Sequence, residues 1–303
     1  MTSPLASAAA PFGRVLTAMV TPFTADGSVD LDAVRRVATY LVDAGSDGIV
    51  VSGTTGESPT TTGDEDGRTL AAVLEAVGDR ATIVAGVGTN DTRHSVELAE
   101  QAHKVGAHGL LIVTPYYNKP PQSGIVAHVN AIASAGSDLP VMLYDIPHRT
   151  GLEIAESTYP LLEQNPLILA VKDATGDLER GARLLRESRL AVYSGDDALL
   201  LPWLALGAAG IVSVASHVAA GEYAAMIRAT DAGDLPEARR IALRLVPLLQ
   251  ALTTTQMAIT SKVALKLLGV IDYAGVRLPL TEATDEQVAI VRAALVDLDL
   301  LES

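Results

Sequence analysis

The sequence predicts a closed (β/α)8 TIM barrel with a helical bundle appended at its C-terminus. Three observations point there. Eight short, β-branched apolar runs recur between residues 15 and 214. The segments separating them have helical periodicity. Hydrophobic residues make up 49% of the chain, yet it holds only two Phe and one Trp. The core must therefore be Ala, Val, Leu and Ile, which suits buried parallel strands covered by helices. At 303 residues the chain is long for one domain, but barrels of this kind commonly exceed about 250 residues.

Taken in order, residues 1–13 ("MTSPLASAAAPFG") read as a loose arm. They lack the basic and long apolar regions of a secretory signal. The first run is "VLTAMVTPF" (15–23), followed by an amphipathic helix, "DLDAVRRVATYLVDAG" (30–45). "GIVVSG" (48–53) and "TIVAGVG" (82–88) are the next two strands, and "RHSVELAEQAHKVGA" (93–107) another helix. "GLLIVTP" (109–115), "VMLYDIP" (141–147), "LILAVKD" (167–173), "LAVYSG" (190–195) and "AGIVSV" (209–214) complete the eight. Strict alternation of strand and helix implies right-handed parallel crossovers, and eight such units point to closure rather than an open sheet. The barrel is expected over 14–232. Residues 233–303, helical in pattern and without further strands, form the appended helical domain.

Composition excludes several function classes. A formal charge of −14 and a pI near 4.8 repel nucleic acid and anionic membranes. The densest basic stretch, "RGARLLRESR" (180–189), alternates arginine with apolar residues like an exposed helix face. With no cysteine, disulfides, thiolate zinc sites and a cysteine nucleophile are absent. "ALLLPWLALGAAGIVSVAS" (198–216) is uncharged and of membrane-spanning length, but Pro202, Gly207 and Gly210 divide it into a buried helix, a turn and a strand. A cytoplasmic protein is expected.

Two glycine-rich turns suggest phosphate binding and fail the test. "GTTGES" (53–58) carries Glu57 where a P-loop needs lysine, and "GVGTND" (86–91) has Asp91 where a dinucleotide fingerprint needs its third glycine. In a barrel the active site lies at the carboxyl ends of the strands. Attention therefore falls on Thr21, Thr54, Thr55, Asn90, Tyr116, Tyr117, Tyr144, Arg149, Lys172, Asp173, Gly195, Val212 and Ser213.

Of five lysines, Lys104, Lys262 and Lys266 lie in helical patterns, where exposed lysines are ordinary, and Lys119 lies in a Pro-rich loop. Lys172 alone interrupts an apolar strand. By position it is either a strand-end lysine that reaches solvent or pairs with Asp173, or a sheltered amine. Its company favours the second. Desolvation lowers an amine's pKa and frees the base that attacks a ketone to form an imine. Tyr144 ends the preceding strand, ~4.8 Å away, and a phenol can shuttle the protons that imine formation moves. Thr54 and Thr55 add hydroxyl relays, and the N–H groups of their turn can hold a carboxylate. Together these suit a small 2-oxo acid.

The motifs "GTTGES" (53–58), "VTPYYNKPPQ" (113–122), "LYDIPHRTG" (143–151), "VKDATGD" (171–177), "SGDDALLLPW" (194–203) and "GIVSV" (210–214) occur in register from about residue 14 onward. On them the chain resembles the dihydrodipicolinate synthase (4-hydroxy-tetrahydrodipicolinate synthase) family of pyruvate-dependent class I aldolases. The resemblance implies condensation of pyruvate with L-aspartate 4-semialdehyde through a lysine Schiff base, in lysine and diaminopimelate biosynthesis, with no metal or organic cofactor. It implies Lys172 as the Schiff-base nucleophile, Tyr144 as general acid/base, and Thr54 as a relay between Tyr144 and Tyr117. Tyr117 would be inserted by a neighbouring subunit, so the assembly would be at least a dimer, usually a dimer of dimers. Thr55 would hold the pyruvate carboxylate, Val212 would contact pyruvate through its main chain, and Gly195 would keep space open. Arg149 would grip the semialdehyde carboxylate. That residue separates this reading from its rivals within the superfamily, a sialic acid lyase or a sugar-acid aldolase; a barrel that binds without catalysis is the rival of another class.

Two departures stand out. Asp145 replaces the family's usual asparagine after Tyr144. At the groove where many members bind L-lysine, the matching positions are Gly63, Asp66 and His94, although Ser58, Asn90 and Tyr116 remain. Weak or absent feedback by L-lysine is expected; strong inhibition at submillimolar lysine in an activity titration would contradict it.

Overall fold

In the computed structural model, which describes residues 10–302, the apolar runs become parallel strands. They are β1 (Val15–Ala18), β2 (Gly48–Val51), β3 (Thr82–Gly86), β4 (Gly109–Val113), β5 (Val141–Asp145), β6 (Ile168–Asp173), β7 (Ala191–Ser194) and β8 (Gly210–Ser213). Each pairs with the next and β8 returns to β1, which closes the barrel. Most strands are shorter than the apolar runs that predict them. Met19–Phe23, for example, stay largely buried but leave the ladder after Ala18 to build the mouth.

The intervening segments form α1 (Leu31–Asp43), α2 (Gly63–Val77), α3 (Thr92–Val105), α4 (Gln122–Ala135), short α5 (Pro147–Thr150) and α6 (Tyr159–Leu162), α7 (Leu178–Glu187), α8 (Leu200–Leu206) and α9 (Ser216–Asp231). The uncharged 198–216 stretch is thus α8, a turn at left-handed Gly207, and β8. No helix among the described residues is long and apolar enough to cross a membrane. Beyond the barrel come α10 (Leu235–Arg244), α11 (Val246–Leu252), α12 (Met257–Leu267) and α13 (Asp285–Asp297). Their apolar faces pack with α9, α8 and residues of β1 and β8 into one core that includes Val15, Ile211, Tyr223, Ile241, Leu248 and Leu295.

Side-chain alternation along the strands separates two further cores. Leu16, Val50, Val84, Leu111, Met142, Ala170, Tyr193 and Val212 fill the lumen, while Ile49, Ile83, Leu110, Leu143, Val171 and Val192 face the helices. The same phase puts Tyr144 and Lys172 in the lumen, two positions beyond Met142 and Ala170. Their successors, Asp145 and Asp173, face outward.

The structure corrects three expectations. The loose arm was expected through residue 13. Residues 1–9 lie outside the described residues, but Phe12 is fully buried beneath the strands. A Cβ on Gly109 would stand 2.6 Å from its ring, and Tyr193 Oη donates to Gly13 O at 3.0 Å. An aromatic side chain with a cavity to fill is stapled there, so residues 10–13 seal the barrel floor.

The second correction concerns the basic helix of 180–189. Its outer arginines do form exposed ion pairs, such as Arg183 with Glu156 and Glu179. Arg180, however, is buried. Asp177 caps α7 by accepting from Arg180 N at 2.9 Å, and the side chain turns inward. Its guanidinium meets Asp145 Oδ2 at 2.7 Å and Asp173 Oδ2 at 3.0 Å. Asp173 therefore does not pair with Lys172. Burial pushes the Asp145 carboxyl up to about 6 against the pull of Arg180.

Third, Lys262 is no exposed helix lysine: it is fully buried in α12 and ion-paired with Glu57.

Removing the cation between two buried carboxylates leaves uncompensated charge. Arg180→Met is expected to destabilise the fold by about 3–5 kcal/mol in urea unfolding. Arg180→Lys should recover only part, because one ammonium cannot reproduce a guanidinium fork. An unchanged urea midpoint for Arg180→Met would refute this account.

Candidate active site

The carboxyl ends of the strands surround a cleft of about 280 Å³. Thr54 and Thr55 from the turn after β2, Tyr144 from β5, Arg149 from α5, Lys172 from β6 and Gly195 from the end of β7 all line it. Two expected residues stand apart. Val212 is buried in β8 and contributes to the lumen core, while Val214 supplies that strand's share of the cleft wall. Tyr117 lies outside the cleft of its own chain and is 88% exposed. Its φ of +72° is left-handed, a conformation that costs a residue with a Cβ roughly 1–2 kcal/mol.

Lys172 sits within the barrel, 5% exposed. Register sets Tyr144 directly beside it, and its Nζ lies 4.1 Å from the centroid of the tyrosine ring. Burial lowers the amine's pKa from 10.5 to about 8, opposed by the negative charge of Asp197 and assisted by Arg149. That shift leaves far more of the amine uncharged near neutral pH than an ordinary lysine has. Burial drives the Tyr144 phenol the other way, well above its ordinary value, with Arg149 pulling it partly back. The phenol is thus a neutral donor beside an amine that is partly a free base.

Gly195 is required by space. A Cβ there would stand 2.8 Å from Ala174 Cβ and 3.1 Å from Lys172 Cγ, so any side chain would push the lysine stem aside. The turn after β2 is held by Glu57 N donating to Thr54 O at 3.1 Å and Thr21 Oγ1 donating to Gly56 O at 2.7 Å. Among the described residues, the backbone N–H groups of Thr54 and Thr55 have no acceptor. They are free for an anion of carboxylate size. Arg149 is exposed at the rim, on a four-residue helix that left-handed Gly151 ends.

Asp197 was missed as a site residue, although it stands in the quoted "SGDDALLLPW". It lines the cleft, and its carboxylate accepts from Ser213 Oγ and from the backbone N–H groups of Val214 and Ala215, both at 3.1 Å. It ties the mouth of β8 to β7 and puts negative charge near Lys172. His217, also missed, accepts from Val20 N at 3.1 Å and donates through Nδ1 to Val214 O at 2.7 Å. A buried neutral imidazole thus joins the ends of β1 and β8, and burial lowers its pKa to about 4. The only hint was a histidine in an otherwise apolar stretch.

A second cavity of about 250 Å³ shares Thr54, Tyr144 and Arg149 as a common wall. Ser58, Asp66, His94 and Tyr116 line its far side, whereas Gly63 and Asn90 do not. Ser52 and Thr61 each donate to Asp66 Oδ1 at 2.8 Å, and burial raises that carboxyl's pKa.

Lys172 and Lys262 share a pKa lowered to about 8, but only Lys172 opens to a cleft. Reductive methylation followed by peptide mass analysis should label Lys172 with a midpoint near pH 8, rising from pH 7 to 9 as the free base accumulates. Lys262 should stay unlabelled while the fold persists. Equal labelling of both would show that the cleft does not select between them.

Comparison with known proteins places this architecture. Residues 11–297 match the Dihydrodipicolinate synthetase family. The 4-hydroxy-tetrahydrodipicolinate synthase of Acidothermus cellulolyticus is 58% identical over 283 residues, covering 93% of this chain and 91% of the relative. That of Kineococcus radiotolerans is 57% identical over 286 residues, covering 94% and 92%. Among solved structures, DHDPS from Cyanidioschyzon merolae with lysine bound superposes with a TM-score of 0.92 at 45% identity, covering 96% of this chain and 99% of that one. Dihydrodipicolinate synthase from Aquifex aeolicus gives 0.91 at 38%, covering 95% and 99%. The chain belongs to the dihydrodipicolinate synthetase family.

Proposed function

We propose that the protein is a lyase that condenses pyruvate with L-aspartate 4-semialdehyde to give 4-hydroxy-tetrahydrodipicolinate, in lysine and diaminopimelate biosynthesis. The observation that carries this reading is Lys172: a sheltered amine, stacked on Tyr144, beside a turn with free N–H groups. The uncharged Lys172 amine adds to the pyruvate ketone, and Tyr144 protonates the departing hydroxyl so that water leaves and an iminium remains. Loss of a proton from the methyl group gives an enamine, with the iminium nitrogen as electron sink. The enamine carbon attacks the semialdehyde's aldehyde and forms the new C–C bond, while the oxygen takes up a proton. The semialdehyde's amine then adds to C2, closes the ring and expels Lys172.

The remaining roles follow from position. Thr55 and its turn hold the pyruvate carboxylate. Arg149 at the rim grips the carboxylate of the semialdehyde bidentately, which favours this substrate over those of sugar-acid aldolases or sialic acid lyases. Val212 lies below the cleft wall, and the resemblance alone assigns it a main-chain contact with pyruvate; Gly195 leaves room for Lys172. Thr54 relays protons between Tyr144 and Tyr117. The exposure and left-handed backbone of Tyr117 suit an aromatic offered to a second subunit, whose cleft it completes in a dimer or a dimer of dimers. Residues 233–303 act as a helical domain behind the barrel, the protein works in the cytoplasm, and L-lysine inhibits it weakly or not at all.

Borohydride reduction in the presence of pyruvate should add the mass of one reduced pyruvate, mapped to Lys172, and Lys172→Ala should abolish both adduct and turnover. Turnover should require aspartate semialdehyde in a coupled assay. An unmodified Lys172, or a Lys172→Arg variant with full turnover, would overturn the proposal.

A further inference from the structure

We infer that Lys262 of α12 and Arg277 of the loop between α12 and α13 are positioning residues for the pyruvate carboxylate, acting through Glu57. This rests on the reading of the 53–58 turn as that carboxylate's seat. Glu57 belongs to the turn, but its side chain points away from the cleft into a sealed space. There one carboxylate oxygen is ion-paired with Lys262 Nζ, and the other accepts from Arg277 N at 2.9 Å. Lys262 donates onward to Gly275 O at 2.9 Å. The ring of Phe23 lies against both cations, 4.1 Å from Lys262 Nζ and 4.4 Å from the Arg277 guanidinium. That guanidinium reaches Thr60 O at 2.7 Å, Gly27 O at 2.7 Å and the carboxylate of Glu65, the residue that closes the capping box of α2.

These contacts converge on a backbone that does not hold itself. Glu57 has a φ of +59°, which a residue with a Cβ adopts only when its surroundings impose it. In that conformation its N–H reaches the carbonyl oxygen of Thr54, whose own N–H is one of the two free groups. Stability alone does not account for the pair, since replacing a buried ion pair by apolar groups is often neutral or stabilising. A charge pair fixed at one place does specify geometry. Without it Glu57 would turn toward water, its backbone would relax, and the spacing of the Thr54 and Thr55 N–H groups would change.

The test compares the full-length protein with Lys262→Met and with the double variant Glu57→Gln/Lys262→Met. The primary readout is the pyruvate concentration that half-saturates the borohydride-trapped adduct, with KM and kcat for both substrates alongside. Lys262→Met should raise half-saturation by pyruvate about tenfold, the equivalent of one well-placed hydrogen bond. KM for the semialdehyde, gripped at Arg149 outside the turn, should change by less than about twofold. The double variant leaves no unpaired buried charge, so it should regain the thermal midpoint that the single variant loses while pyruvate half-saturation stays raised. If the single variant does not fold, the double variant decides. Unchanged half-saturation in the double variant, or an equal rise in both KM values, overturns the inference and leaves the substrate reading intact. Absence of any adduct in the unaltered protein overturns both.

Discussion

Two carboxylates, Asp145 and Asp173, stand side by side on the outer face of the barrel with no access to water, and Arg180 lies between them. Much of the site depends on that contact. Side chains alternate along a strand, so the residue before each carboxylate must point into the lumen. Those residues are Tyr144 and Lys172. A one-residue slip of either strand would put a carboxylate inside the barrel and carry Tyr144 or Lys172 out of it. Placing their shared cation on α7 makes every other phase costly. Asp145 is thereby explained as half of a shared anion for one guanidinium.

A lowered amine pKa by itself does not mark a reactive lysine. Lys172 and Lys262 are both driven down by burial. Lys262 is engaged by Glu57, Gly275 and the Phe23 ring and lines neither cavity. Lys172 has an aromatic face, a negative charge held off at Asp197, and a cleft. Desolvation is common to both; the difference lies in what each amine can still bond to.

The barrel was legible because its signals are periodic and local: β-branched runs, amphipathic spacers and polar strand ends. Lys172 was legible because a charge inside an apolar strand is anomalous, and Arg149, Thr54 and Thr55 because strand ends define the mouth. What escaped was set by contacts distant in sequence. Arg180 and Lys262 occupy helical positions where a cation is unremarkable, and their partners lie 35 and 205 residues away. Phe12 sits in a segment of alanine, proline and glycine, and only the hollow it fills explains its burial. Asp197 adjoins an identical residue, Asp196, and nothing local distinguishes the one that caps the end of β8 from its exposed neighbour.

Phe12, Gly13 and Tyr193 also decide the traffic. With the floor blocked, the described residues leave the lumen open at the rim where Arg149 stands. A guest seated against Lys172 is shut in by any second guest at that rim. On the proposed roles of Lys172 and Arg149, depth sets the order: the substrate seated at the lysine must enter before the one held at the rim.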